Sequence, residues 1–79
     1  MDSKGDNMSQ FRYEIVRNYG VLSVSESGWT KELNLVSFND QLPKYDIREW
    51  SPDRSKMSRG LRFEKDELLK LNELISELE

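Results

Sequence analysis

The apolar positions of this chain follow a period of two for most of its length and then switch to three-and-four. From Phe11 to Val24 the alternation is clear, with Phe11, Tyr13 and Ile15 on one face and Arg12, Glu14 and Val16 on the other. Asn18-Tyr19-Gly20 interrupts it as a bend or bulge, after which Val21 to Val24 either lengthen the first strand or pair with it. Ser25-Glu26-Ser27-Gly28 marks a turn. A second strand runs from about Trp29 to Phe38, with Leu33 and Leu35 on one face and Asn34, Val36 and Phe38 on the other. Asn39-Asp40 supplies turn chemistry, and Pro43 cannot donate to a ladder. Lys44 to Trp50 is a third strand, Ser51 to Ser55 a loop, and Lys56 to Phe63 a short fourth strand carrying Gly60. From Lys65 to Leu78 the residues Leu68, Leu71, Leu74, Ile75 and Leu78, with Leu69 on the flank, take the spacing of an amphipathic helix, and Asp66 and Glu67 near its start complement the helix dipole. Residues 1–9 are polar and aperiodic, which predicts a disordered lead-in to one domain over 10–79.

The third strand is the most informative segment. Read with a period of two, it puts Lys44, Asp46, Arg48 and Trp50 on one side and Tyr45 and Ile47 on the other. An apolar side for a core and a cation-plus-indole side for water is what a single-stranded nucleic-acid platform requires, because phosphates need positive charge and unstacked bases need flat aromatic surfaces. An ordinary half-buried antiparallel strand with a solvated outer face gives the same pattern.

Composition narrows the choices. A chain of 79 residues has room for one domain, and one this short hides only about 60% of its unfolded surface, so an apolar face covered by another copy or a partner is expected. Cysteine and histidine are both absent. Their absence removes disulfides, thiolate and the usual zinc sites, and histidine or cysteine nucleophilic dyads. Carboxylates and serines are plentiful, yet no phosphate-binding loop organises them, so a binding protein without metal, cofactor or small-molecule substrate is expected rather than an enzyme. No apolar stretch approaches the roughly 18–20 residues that span a bilayer, and Met1 to Asn7 lack the apolar core of a signal peptide; the expectation is a soluble, cytoplasmic protein. The net charge of −3 is unevenly spread. Glu64, Asp66, Glu67, Glu73, Glu77 and Glu79 outnumber Lys65 and Lys70 along the helix, whereas Lys44, Arg48, Arg54, Lys56, Arg59 and Arg62 outnumber Asp46, Glu49 and Asp53 ahead of it. That asymmetry permits a basic face on an acidic protein.

The stretch Tyr45-Asp46-Ile47-Arg48-Glu49-Trp50, then Pro52, Met57 and Arg59-Gly60-Leu61 before a terminal helix, resembles the carboxy-terminal domain of the transcriptional coactivator positive cofactor four. Gly28 to Ser37 followed by Pro43 to Arg48 looks closer still to its compact bacterial branch, the YdbC-like proteins. The resemblance runs from about Phe11 to Leu78. It implies an α+β fold, a four-stranded curved antiparallel sheet followed by a C-terminal amphipathic helix, assembled as a homodimer that binds single-stranded DNA without reading a fixed sequence, in transcription, replication or repair. By position it assigns Lys31 and Phe38 on the second strand, Arg48 and Trp50 on the third, and Arg59 before Gly60 to that site; Trp29 and Lys44 complete the candidate set. Leu68, Leu71, Leu74, Ile75 and Leu78 would build the dimer interface. The coactivator has two aromatics after its Glu where this chain has Trp50 and Ser51, and Val36 replaces a basic residue.

Several of these residues carry a competing structural role. Trp29 stacks on a base or fills the core. Lys31 shares strand parity with Leu33 and Leu35, which aims it at the core unless a bulge intervenes. Phe38 lies on the opposite parity, as an exposed aromatic at a strand end. Gly60 is a bulge glycine or a point of close backbone approach. Single-stranded RNA is an alternative ligand, since stacking and phosphate contacts do not sense the 2′-hydroxyl. A protein-interaction module presenting the acidic, leucine-rich helix is the alternative function.

Overall fold

The computed structural model describes residues 12–79; the lead-in read over residues 1–9 and the start of the first strand at Phe11 lie outside the described residues. Strands β1 (Tyr13–Val24), β2 (Thr30–Phe38), β3 (Lys44–Trp50) and β4 (Leu61–Phe63) are followed by helix α1 (Lys65–Ile75). The strands form a single antiparallel sheet in the order β1-β2-β3-β4, so every connection is local. Val21 to Val24 lengthen β1 rather than pair with it, and the register slips between Ile15 and Arg17, Asn18 and Gly20, and Val21 and Ser23. Each slip bends the strand and strengthens its twist. Among the described residues, no helix is long and apolar enough to cross a membrane.

The consequence of the bending is visible in which rings touch. Tyr13 pairs with Phe38 and Trp50 with Thr30, at opposite ends of β2. On a flat strand those ends would stand about 26 Å apart. The Tyr13 and Trp50 ring centroids are nevertheless 5.2 Å apart, and the Arg48 guanidinium lies 4.7 Å from the centre of the Phe38 ring. The sheet therefore curls along β2 until its two ends meet over one face.

That curl corrects the expectation for the third strand. The face carrying Lys44, Asp46, Arg48 and Trp50 does not open to water: Trp50 has no exposed surface, and Val36 and Phe38 are buried with it. Phe38 is accordingly not an exposed strand-end aromatic. Three polar side chains are buried on the same face, Glu32, Asn34 and Asp46. The opposite face, with Leu33, Leu35, Tyr45 and Ile47, is only half-buried.

Helix α1 lies over that half-buried face. Leu68, Leu71 and Ile75 approach Leu22, Leu33 and Ile47 around an open groove of about 290 Å³. The Glu67 carboxylate accepts the Glu64 backbone N–H at 2.8 Å, fixing the first turn. No α1 residue is buried, and Leu61, Leu69 and Leu74 stay more than half exposed. The helix ends at Ile75, short of the expected Leu78. There the backbone tightens, with the Glu77 and Leu78 amides donating to the Leu74 and Ile75 carbonyls, and Leu78 lies beyond the helix, 74% exposed.

Strand β4 is also shorter than its expected range of Lys56 to Phe63. The Ser58 hydroxyl accepts the Glu49 amide at 2.9 Å, where a ladder carbonyl would otherwise do so, and only an isolated bridge joins Trp50 to Met57. Replacing Trp50 tests the curled core. Trp50→Ala is expected to lower unfolding free energy by about 3–5 kcal/mol in a urea titration, whereas a change within about 0.5 kcal/mol, as surface substitutions give, would contradict its burial.

Candidate nucleic-acid interface

The buried face is polar enough that its charges must be matched internally. Arg48 donates to both oxygens of Asp46, from Nε at 2.8 Å and Nη2 at 2.7 Å, in the planar fork geometry that suits a carboxylate. Its remaining nitrogen, Nη1, reaches the Met57 sulfur at 3.1 Å, and the side chain is 12% exposed. Arg62 takes a second position near the Phe38 ring, 5.0 Å from its centre. Arg48 is thus a structural cation in the free chain, bound to a fully buried carboxylate.

A second network surrounds Glu32. Arg54 Nη1 and Nη2 donate to its two oxygens at 3.0 and 2.9 Å, and Asn18, Thr30 and Asn34 donate as well. Burial pushes the Glu32 carboxyl up, but hydrogen bonds from Thr30, Arg54 and Asn34 and the Arg54 charge together hold it below the usual carboxylate value. Arg54 reaches this position with a backbone φ of 66°, in the left-handed region that costs a side chain about 1–2 kcal/mol. In the same turn Ser55 and Ser51 donate to Asp53, lowering its carboxyl to about 2.

Lys31, Arg48, Arg59 and Gly60 come together around one open groove of about 380 Å³, whose walls include Ile47, Glu49 and Leu61. Lys31 does share the Leu33 face, but it lies at the outer end of β2, opposite Glu49, and its ammonium remains in water. Among the described residues neither Lys31 nor Arg59 has an ion-pair partner. Gly60 is required by its surroundings: a Cβ there would stand 2.6 Å from Arg48 Nε, 2.7 Å from Arg48 Cβ and 2.9 Å from the Ile47 carbonyl oxygen. It permits the close approach that brings the Arg59 backbone against β3.

The other candidates are placed elsewhere. Trp29 is half-buried and lines a separate groove of about 340 Å³ with Pro52, Asp53 and Lys56. Lys44 is paired with Glu64 at 3.0 Å, beside the start of α1. Trp50 and Phe38 are in the core. Lys56 was missed as a groove cation, and Arg54 and Glu32 as a pair; a lysine six residues after Trp50 in a Ser/Pro/Asp turn gives no periodic signal.

Residues 25–74 match the family described as Transcriptional Coactivator p15 (PC4). That span contains β2, β3, β4, nearly all of α1 and both grooves. The chain belongs to the PC4 family. It is also 46% identical over 68 residues to an uncharacterized protein of Treponema pallidum (strain Nichols), covering 86% of this chain and 80% of that one. The PC4 family is one of nucleic-acid-binding transcriptional coactivators, so DNA binding is the coarse function that membership supports. Within a PC4 domain built this way, the Asp-Ile-Arg-Glu block first serves the fold. Arg48→Ala is expected to destabilise the domain by about 3–5 kcal/mol by stranding the Asp46 charge, and replacing the pair together, Asp46→Leu with Arg48→Met, should cost clearly less. Equal losses in a thermal melt would show that Arg48 acts independently of Asp46.

Proposed function

We propose that this chain is a homodimeric, sequence-nonspecific single-stranded DNA-binding protein of the bacterial cytoplasm, acting where transcription, replication or repair exposes single strands, and not an enzyme. The observation that carries the reading is the groove that gathers Lys31 and Arg59 beside apolar Ile47 and Leu61, with neither cation engaged by another side chain. Cations already held by carboxylates cannot release counterions from a phosphate backbone, whereas these two can. Trp29 and Lys56, in the neighbouring groove, supply a half-exposed aromatic face and a further charge. Each stacked base contributes on the order of 1–3 kcal/mol, and a duplex offers no free base to stack. The 2′-hydroxyl has no dedicated partner in this reading, so single-stranded RNA is expected to compete.

A second copy suits the surface around α1. Leu22 is 61% exposed, and with Leu69, Leu74 and Ile75 it leaves an apolar surface broad enough to need a cover. Closed two-fold dimers are the commonest way in which identical surfaces cover one another. The same exposed helix would fit a groove on a different protein, which is the alternative function.

Two measurements test these statements. In anisotropy titrations of a labelled oligothymidine, affinity should fall with salt and exceed that for a duplex of equal length; Lys31→Ala and Arg59→Ala should each flatten the salt slope by about 0.7. Unchanged slopes would remove the groove from the interface. In sedimentation velocity the chain should run as a dimer and Leu74→Glu with Ile75→Glu as a folded monomer; a monomeric parent chain would favour the protein-interaction reading of α1.

A further inference from the structure

One aromatic surface of the fold is closed by a contact from the turn that follows β3. The Arg54 guanidinium carbon lies 5.6 Å from the Trp50 ring centre, and the Tyr13 ring packs at 5.2 Å. The Tyr13 hydroxyl donates to the Arg54 carbonyl at 3.2 Å, tying the turn to β1. The turn itself is internally knit: the Arg54 amide donates to the Ser51 carbonyl at 2.9 Å, and the Ser51 amide to the Lys56 carbonyl at 3.0 Å. Two contacts fasten it to the sheet, the Tyr13 hydroxyl bond and the pair between Arg54 and buried Glu32.

Beneath this turn the Trp50 Nε1 is buried without a hydrogen-bond acceptor. A buried indole N–H ordinarily finds one. A planar cation over the ring and an unanswered donor on its edge are what a nucleobase would replace, since bases stack on indole as guanidinium does and carry acceptor oxygens and nitrogens. The groove of Trp29 and Lys56 shares Ser51, Pro52, Asp53 and Ser55 with the same turn, so a strand lying there rests against its outer side.

We propose that Arg54 and Glu32 form a gate: in the free chain the Arg54 guanidinium covers Trp50, and a base of a single strand takes its place when the turn lifts. This rests on the single-strand reading above and deepens it. Arg54 is then a cation that opposes binding of a polyanion, the reverse of what its charge alone would predict. A closed site weakens the observed affinity by the fraction of chains that are open.

The experiment pairs two readouts on the full-length chain. Arg54→Ala with Glu32→Gln leaves the net charge unchanged and strands no buried carboxylate; Arg54→Ala alone is the second variant, and circular dichroism establishes that each folds. Acrylamide quenching is read in a Trp29→Phe background, where emission comes from Trp50, and oligothymidine affinity is read by anisotropy of a labelled strand. The gate requires greater quenching of Trp50 and tighter oligothymidine binding in the double variant, by about 3–10-fold if the open form is a minor population. Weaker or equal binding with Trp50 still shielded overturns it and makes Arg54 a direct phosphate contact or a purely structural one. If acrylamide reaches Trp50 but neither the parent chain nor any variant binds the strand, the single-strand reading fails, and with it the ligand assigned to the gate.

Discussion

The meeting of Tyr13 with Trp50, residues registered to opposite ends of β2, is the contact on which the rest of the architecture depends. Among the described residues the sheet has one short helix laid on its outer face, and no α1 residue reaches full burial. By curling along β2 the sheet makes a core from its own concave face. Trp50, Val36 and Phe38 are enclosed on that face. A sheet bends this far only where the edge strand yields, and the three register slips of β1 are where it does.

Closing a sheet that carries Glu32, Asn34 and Asp46 on its inner face imposes an electrostatic condition. An unpaired carboxylate in that position would shift its protonation or open the fold, so each acid has an arginine delivered from nearby: Arg48 from the same strand and Arg54 from the following turn. The pairing divides the cations into two populations. Those on the inner face hold the curl together, while Lys31, Lys56 and Arg59 line grooves outside it. An acidic chain can therefore present a basic groove because its carboxylates and several of its arginines neutralise one another in the interior.

The order of elements was legible because the change from a period of two to a helical period needs no tertiary information, and the limits of β3 were read to the residue. Which face of the sheet forms the core was not, since parity assigns side chains to faces without saying which way a sheet curls. Trp50 and Phe38 were expected in water for that reason. The Asp46 and Arg48 pair was readable from their two-residue spacing on one strand, which makes them same-face neighbours. Lys31 was read with a parity conflict that dissolves in three dimensions, because the Leu33 face is open at its outer end. The early stop of α1 is a tightening of the backbone, in which the Glu77 and Leu78 amides bond three residues back to Leu74 and Ile75, and the leucine spacing cannot report it.

Strand β1 stands at an edge of the sheet for twelve residues, with Val16, Tyr19, Val21, Leu22 and Val24 exposed along it. A straight edge of that length and hydrophobicity would be a template for strand addition by any passing chain, the route to fibrous aggregates. The slips that allow the sheet to curl also divide this edge into short, differently directed pieces, so that an incoming straight strand meets matching amides and carbonyls for only two or three residues before losing register. The deformation that creates the core is thus also a built-in safeguard for solubility.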